Sequence, residues 1–536
     1  MLRASYLIAA LVGVTVVLAL PTSQVASVVP LVIPETAQGA SIPHDPSFGS
    51  FSFEPAFWVE FFGTASAPNP LVFRLLNRIH EHGGRPIIRP GGITMDSMIF
   101  DPSGSDPVRT TNPNGGVYRT TVGPAYYKSW SNFPSGTKFV STLNFGNNSL
   151  PIARGLAVAS AQYQPKTVSL FELGNEPTNY ARSRWNANTT AYVTQWQQWT
   201  RDIDAAVNTA LGNTSLPSAR WFASSATTDR TALNVRPVDL IPAGIDRFRQ
   251  VADYSIHSYP FSTCDPTRAR RATIANILNH TELVRYADEE IYPSAKAALD
   301  VGSRWVIGEF NSVSCSGAPN VTDTFAQALW VIDTYLIYAV RNASAVYLHQ
   351  GATLVFQSGS QTNVPSPDGK PGFSTYSMVF PIDTALRGPA RTLPSFLAQL
   401  FMAEVFGGGE TQVREVRAEG LEAERIAVYA LYEGQSLEKL VVVNSRLFYG
   451  NTTEDGRVSL DVARYAVNGK VWVKRLTAPS VNEKDNTKTS WAGQSFPQGD
   501  AVGTAVVEEV GDGLVKVRGS EAVLVFLDEE AARRVV

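Results

Sequence analysis

Two glutamates stand where an enzyme would place its working groups. Glu176 lies in the segment LFELGNEP (170–177), and Glu309 lies in WVIGEF (305–310). Each follows a tight apolar run and has a glycine close before it. Two carboxylates that face each other suit cleavage of a glycosidic bond. One, protonated, donates to the leaving oxygen, while the other attacks the anomeric carbon or activates water. A separation of about 5–5.5 Å gives the covalent, retaining route, and about 6.5–9.5 Å gives inversion. The competing reading is an ordinary ion pair for each glutamate. Two such residues, both closing apolar strands, weigh against it.

The elements around them supply a reason to face each other. Eight β-rich runs alternate with helical stretches: FSFEPAFWVEFF (51–62), RPIIRP (85–90), KFVSTLNFG (138–146), KTVSLFELGNEP (166–177), ARWFASS (219–225), ADYSIHSYP (252–260), SRWVIGEFN (303–311) and SAVYLHQG (344–351). Segments 70–84, 189–211, 269–291 and 322–342 between them carry apolar residues at three- and four-residue spacing, the pattern of amphipathic helices. Eight βα units in series predict a (β/α)8 TIM barrel of the α/β class, in which side chains at the C-terminal strand ends form the site. Glu176 ends the fourth run and Glu309 the seventh, on opposite arcs of the ring. An open doubly wound sheet is the alternative, but no Gly-rich phosphate loop follows any run. The Pro-, Gly-, Ser- and Asn-rich stretch 101–135 is expected to be a long loop forming part of a wall over the site. Beyond a helix near 395–406, residues 410–530 alternate polar and apolar with turn signals, which predicts a C-terminal antiparallel β-sandwich.

The expected divisions are therefore a signal peptide at 1–26, an N-terminal segment at 27–50 joining the sandwich, a catalytic barrel at 51–395 and a β-sandwich domain at 396–536. Arg3, the fifteen-residue apolar run Tyr6–Leu20, Pro21 and the small residues after it have the layout of a secretory leader. A membrane anchor is the alternative, but spanning takes about 20 apolar residues. Seven N-x-S/T sequons, at Asn147, Asn188, Asn213, Asn279, Asn320, Asn342 and Asn451, fit a glycosylated extracellular protein. The chain has 536 residues, 44% hydrophobic and 17% charged, with a net charge of −3. That charge gives no electrostatic case for nucleic acid or an anionic membrane surface. A monomer acting on carbohydrate is expected. No two histidines have metal-ligand spacing, so neither metal nor cofactor is expected.

The longer strings SFSFEPAFWVEFFG, RPGGITMD, FELGNEP, DYSIHSYP, VIGEFNSVSCSG and YLHQG resemble glycoside hydrolase family 79, in particular its fungal β-glucuronidases. TSWAGQSF and the β-rich tail are similar to that family's sandwich domain. The likeness runs from about residue 28 to the end. It implies that Glu176 is the acid/base and Glu309 the nucleophile of a retaining enzyme. It further implies that Asn175 contacts the sugar 2-OH and that Tyr259 holds the nucleophile carboxylate. It implies a terminal β-linked glucuronic acid, with or without a 4-O-methyl group, on arabinogalactan or a similar glycan. Ile93 departs from the family, whose members often carry Asn there, and this weakens the case for that sugar.

Several residues keep two readings. Arg89 can hold Glu309 ionised or belong to a structural ion pair. His257 and His349 can line the pocket or be hydrogen-bonded barrel-interior residues. Cys264 and Cys315 follow Tyr259 and Glu309 closely; they are either free thiols or a disulfide stapling the nucleophile loop, worth on the order of 4 kcal/mol. A glucuronate carboxylate needs donors, for which Ser312, Ser314, Tyr347, His349 and Gln350 are candidates. Other readings are a β-glucosidase, a heparanase-like endo-enzyme, or a non-catalytic carbohydrate-binding protein. The endo reading is disfavoured because Arg268, Arg270 and Arg271 fall at a helix start and not at a strand end.

Overall fold

The computed structural model describes residues 28–111, 119–212, 217–229, 231–352, 366–450 and 455–534. The expected signal peptide and the sequons at Asn213 and Asn451 lie outside the described residues. All eight runs overlap the strands of one closed parallel barrel: β1 (Gly49–Phe53), β2 (Ile88–Pro90), β3 (Phe139–Leu143), β4 (Val168–Leu173), β5 (Trp221–Ala226), β6 (Val251–Ser258), β7 (Arg304–Phe310) and β8 (Val346–Gln350). Neighbours in sequence are neighbours in space, and β8 closes onto β1 through pairs such as Leu348 with Phe51. Val140, Phe222, Val306, Ala345 and Tyr347 pack together as one apolar cluster inside the ring. The barrel is thus filled by apolar side chains at its floor, and the polar groups converge above them, toward the mouth.

Helices α1 (Pro70–Glu81) and α2 (Leu150–Tyr163) lie within the first half of the chain, followed by α3 (Thr189–Leu211). The expected single helix at 269–291 is broken into short pieces, of which α4 (His280–Tyr286) is one. Helix α5 (Phe325–Val340) departs from its amphipathic expectation, because every residue from Phe325 to Ala339 is buried. The C-terminal sheet covers the face that would otherwise meet water. Helix α6 (Ser395–Phe406) is buried throughout for the same reason.

That sheet is antiparallel and seven-stranded. It includes β9 (Thr411–Glu415) at one end, then β10 (Ile426–Glu433), β11 (Ser436–Asn444), β13 (Glu521–Phe526) and β12 (Val471–Thr477) in that spatial order. A three-stranded sheet packs behind it and includes Val28–Pro30, which pairs in parallel with Val458–Asp461. Alternate residues of β10 part company: Tyr429 and Leu431 join the barrel-side core, while Val428, Ala430 and Tyr432 join the core between the sheets. Both faces are covered, so β10 is apolar on both and not alternating as expected.

The stretch 101–135 is not a plain loop. Met98–Phe100, Val108–Thr111 and Arg119–Val122 form a small sheet, and Pro124–Ser129 is helical. None of its described residues lines the cleft, because this sheet packs outward against α2.

Candidate active site

A cleft of about 480 Å³ opens at the C-terminal ends of the barrel strands. Glu176 and Glu309 both line it. One oxygen of each, together with a ring nitrogen of His257, lies within 4.8 Å of the others. These three are the one described set of side chains that could surround a metal ion. The Arg89 guanidinium next to Glu309 opposes a second cation there.

Glu309 ends β7, and both of its oxygens are occupied. Arg89 Nη1 donates to Oε2 at 2.9 Å, and the Tyr259 hydroxyl donates to Oε1 at 2.9 Å. Burial alone would raise its pKa. Charges on His349, His257 and Arg89, with the Tyr259 hydrogen bond, outweigh burial and hold it at about 2. His349 itself is pushed down to about 4, chiefly by burial, and so is neutral near pH 7. Arg89 and Tyr259, the groups that hydrogen-bond its two oxygens, both favour the ionised form of Glu309. Burial and the Glu309 charge push the Tyr259 phenol well above its ordinary value, so it remains a donor.

Arg89 is fully buried beneath the cleft and does not line it. Its two readings turn out to coexist. It donates to Glu309, to Glu172 Oε2 at 2.5 Å, to Ser52 Oγ at 2.8 Å and to Asn175 Oδ1 at 3.1 Å. Its oxygen accepts from Arg89, so Asn175 is oriented to offer its amide N–H groups to a ligand in the cleft it lines.

Glu176 sits in a left-handed turn, with φ +48° and ψ +58°. Glutamate adopts this region at a cost of order 1 kcal/mol or more, and the turn is fixed by its hydrogen bonds. Glu176 N donates to Ser225 O at 3.0 Å, and Gly174 N donates to Leu143 O at 2.9 Å. The Glu176 carboxylate touches His257 Nδ1 at 3.1 Å and accepts from Asn179 Nδ2 at 3.0 Å. His257 thus combines its two readings: it lines the cleft, and it is a buried residue bonded to a neighbour. Its other ring nitrogen, Nε2, is buried with no hydrogen-bond partner.

His349 also lines the cleft, 3.7 Å from Glu309 and 3.7 Å from Glu54. Tyr347 and Gln350, expected beside it, do not reach the cleft. Tyr347 belongs to the apolar cluster below. Gln350 is buried, donates to His349 O and accepts from Met378 N at 2.9 Å. Ser314 lines the cleft, whereas Ser312 is buried and donates to Gln327. Cys264 and Cys315 form a disulfide that joins the loops after β6 and β7 in the cleft wall. Of the sequons, Asn147, Asn188 and Asn320 are exposed, and Asn279 and Asn342 are half-buried. Asn188 and Asn279 also cap α3 and α4.

Cleft residues that were not anticipated include Glu54, Asp229, Ser316 and Tyr376. Glu54 is buried just past β1 and accepts from Ile93 N, Thr94 N and Thr94 Oγ1. Burial and the Glu309 charge raise its pKa to about 8, so it is protonated near neutrality. The signal was present, since FEP at β1 has the same carboxylate–proline ending as NEP after β4. Arg268 corrects another expectation. It does sit on the helix Pro266–Arg271, yet it lines the cleft, because that helix begins right after the stapled Cys264. There it pairs with Asp229 at 3.0 Å and donates to the Tyr259 carbonyl.

Comparison with known proteins agrees with this geometry. Residues 428–524 match the glycosyl hydrolase family 79 C-terminal beta domain, and residues 152–347 match the cellulase (glycosyl hydrolase family 5) model. A protein of Aspergillus niger named beta-glucuronidase is 27% identical over 85% of this chain and 85% of its own. One of Neurospora crassa with the same name is 23% identical over 94% of this chain and 98% of its own. In fold, the chain resembles a 4-O-alpha-L-rhamnosyl-beta-D-glucuronidase from Fusarium oxysporum, with a TM-score of 0.75 and 19% identity over 93% of this chain and 100% of that one. A family 51 alpha-L-arabinofuranosidase of Bifidobacterium longum shares the fold more distantly, with a TM-score of 0.55 and 15% identity over 93% of this chain and 98% of that one. A closed parallel barrel with two carboxylates at its mouth, joined to a domain that matches the family 79 C-terminal beta domain, marks the chain as a glycoside hydrolase similar to the beta-glucuronidases of family 79.

Proposed function

We propose that the protein is a secreted, retaining exo-β-glucuronidase that removes terminal β-linked glucuronic acid, with or without a 4-O-methyl group, from glycans such as arabinogalactan. One observation carries the mechanism: the facing oxygens of Glu176 and Glu309 are within 4.8 Å. That spacing suits direct attack on the sugar and leaves no room for a water between them. Glu309, its ionised form favoured by Arg89 and Tyr259, attacks the anomeric carbon. Glu176 gives its proton to the departing oxygen, and a glycosyl ester forms on Glu309. Water, deprotonated by Glu176, then releases the sugar. Asn175 donates to the 2-OH, a bond that strengthens in the transition state.

The sugar assignment rests on the relatives named beta-glucuronidase. The cleft supports it with donors for a carboxylate: the hydroxyls of Ser314, Ser316 and Tyr376 on the Glu309 side. Secretion rests on the N-terminal apolar run, the sequons and the Cys264–Cys315 bridge, since disulfides persist in oxidising compartments. Among the described residues, no helix is long and apolar enough to cross a membrane.

Parallel assays on aryl β-glucuronide and aryl β-glucoside test the reading. Cleavage of the glucuronide is expected, with the β-anomer of glucuronic acid appearing first by NMR. Cleavage of the glucoside alone sinks the sugar assignment, and initial release of the α-anomer sinks the retaining mechanism.

A further inference from the structure

Asp96 does not line the cleft, yet it is the acceptor around which the acid/base turn is assembled. It belongs to the short 3-10 turn Ile93–Ser97 that follows β2. Oδ2 accepts from the Tyr180 hydroxyl at 2.6 Å and from Asn175 N at 3.1 Å. Oδ1 accepts from Phe145 N at 3.2 Å and Gly146 N at 3.0 Å. One carboxylate therefore ties the turns that follow β2, β3 and β4. Its contact with Asn175 N is one residue before the left-handed acid/base residue. Asn175 is pinned twice, through its side chain by Arg89 and through its backbone by Asp96.

The surroundings are shaped to this acceptor. Gly174 has φ +83°, and a Cβ there would come within 2.6 Å of the Tyr180 hydroxyl. The Arg184 guanidinium lies 4.1 Å from the Phe145 ring centroid and 4.3 Å from that of Trp185, and donates to the Phe145 carbonyl. It fixes the Phe145 end of the same cluster. All four ligands of Asp96 are donors, so an amide in its place would turn one acceptor oxygen into an NH2 that faces two of them.

We infer that Asp96 is a positioning residue for general-acid catalysis: it holds the Asn175–Glu176 turn in the conformation that aims Glu176 at the leaving oxygen. The inference rests on the reading of Glu176 as acid/base. A merely structural role would slow all substrates alike. A role in aiming the acid slows those whose leaving group needs a proton and spares those whose leaving group does not.

The test compares Asp96→Asn with the unaltered enzyme on 4-nitrophenyl and methyl β-glucuronide at pH 7, reading kcat/KM, which reports the first bond cleavage. That pH lies above the value of about 6 to which burial, opposed by the hydrogen bonds, raises Asp96. We expect a loss of about 100-fold on the methyl glycoside and less than about 10-fold on the nitrophenyl glycoside. Equal losses on both, or none, overturn the inference. Should Asp96→Asn fail to fold by circular dichroism, Tyr180→Phe decides: it removes one donor and keeps the ring. It should lose about 5-fold on the methyl substrate only, and an unselective or absent loss overturns the inference equally. If the unaltered enzyme cleaves neither glucuronide, the sugar assignment has failed instead, and the same comparison is made on two leaving groups of the sugar it does cleave.

Discussion

Two buried histidines, each flanked by two carboxylates, are held in opposite states. His349, in the cleft, lies 3.7 Å from Glu309 and from Glu54 and hydrogen-bonds to Ser52 Oγ at 3.1 Å. Burial, with help from nearby Arg89, pushes it down to about 4. His280, on α4 where the barrel meets the C-terminal sheet, contacts Asp333 of α5 at 2.9 and 3.0 Å and Glu415 of β9 at 3.7 Å. Burial also opposes its charge, but Asp333 and Glu415 outweigh it, and it rises to about 10. The difference is the cation nearby and the reach of the carboxylates. In the cleft, Arg89 already neutralises Glu309, and no carboxylate is within hydrogen-bond distance of His349. At the interface the histidine is itself the cation that Asp333 needs, and Tyr429 donates to the same carboxylate at 2.6 Å. Cleft charges are left available for a ligand, whereas interface charges are consumed in joining two layers.

The largest effect should come from removing the cleft anion. Glu309→Gln is expected to lose about four orders of magnitude or more in kcat on the cleaved glycoside, in a protein that still folds by circular dichroism. Retained activity would dissolve the contrast, because Glu309 would then be one more structural carboxylate. Arg89→Met comes next and should damage both properties. It leaves Glu172 and Glu309 without their cation in a buried site, which costs about 3–5 kcal/mol, and it frees Glu309 to take up a proton. Chemical denaturation with kinetics on the folded fraction would show both losses. A stability loss without a kinetic one would make Arg89 a scaffold residue only.

His280→Asn should cost on the order of 3 kcal/mol near neutral pH, since it leaves Asp333 buried and unpaired, while kcat stays within about two-fold. The pH dependence has a defined sign. His280 is raised in the folded state, so its contribution is full below its unfolded value near 6.5 and is lost as pH rises through about 10. Glu415 is lowered to about 2, chiefly by its hydrogen bond to His280, so its contribution is full above about 4.5 and is lost as pH falls through 2. His349 is lowered, so it penalises the fold as pH falls from 6.5 through about 4. Melting temperatures should thus show a decline between pH 8 and 10, above the value of about 8 at which Glu54 titrates, that His280→Asn removes, while the profile below pH 6 keeps its shape. An alkaline limb untouched by the substitution would mean that the interface histidine carries no charge.

The barrel and its two carboxylates were legible because both leave local marks. A parallel strand buried on both faces is a short apolar run, and a residue just past its end faces the mouth. Glu176 and Glu309 satisfied that rule, as did the overlooked Glu54. The sequence could not show which layer of the barrel a strand residue reaches. Tyr347 and His349 share the inward parity of β8, but two residues separate them along the strand, so His349 meets the cleft and Tyr347 meets Phe222. Gln350 has the opposite parity and turns away from the barrel interior to Met378 N. Arg268 was misplaced for a different reason: its distance from the cleft depends on the loop after β6 being drawn inward by the bridge from Cys264 to Cys315.

The smallest expected effect tests this layering. Tyr347→Phe keeps the ring, whose centroid lies 5.9 Å from that of Phe222 in an edge-on contact, and keeps the volume of the apolar cluster around it. Such a swap should change stability by less than about 1.5 kcal/mol. Both kcat and KM should stay within about two-fold, because no atom of Tyr347 reaches the cleft. His349→Phe, one step up the same face, removes a ring that lines the cleft and contacts Ser52, and it should raise KM or lower kcat by about ten-fold or more. A large kinetic loss from Tyr347→Phe would mean that the cleft extends a layer deeper than its lining residues indicate. The division between a filled barrel floor and a reactive mouth would then have to be redrawn one residue pair lower on β8.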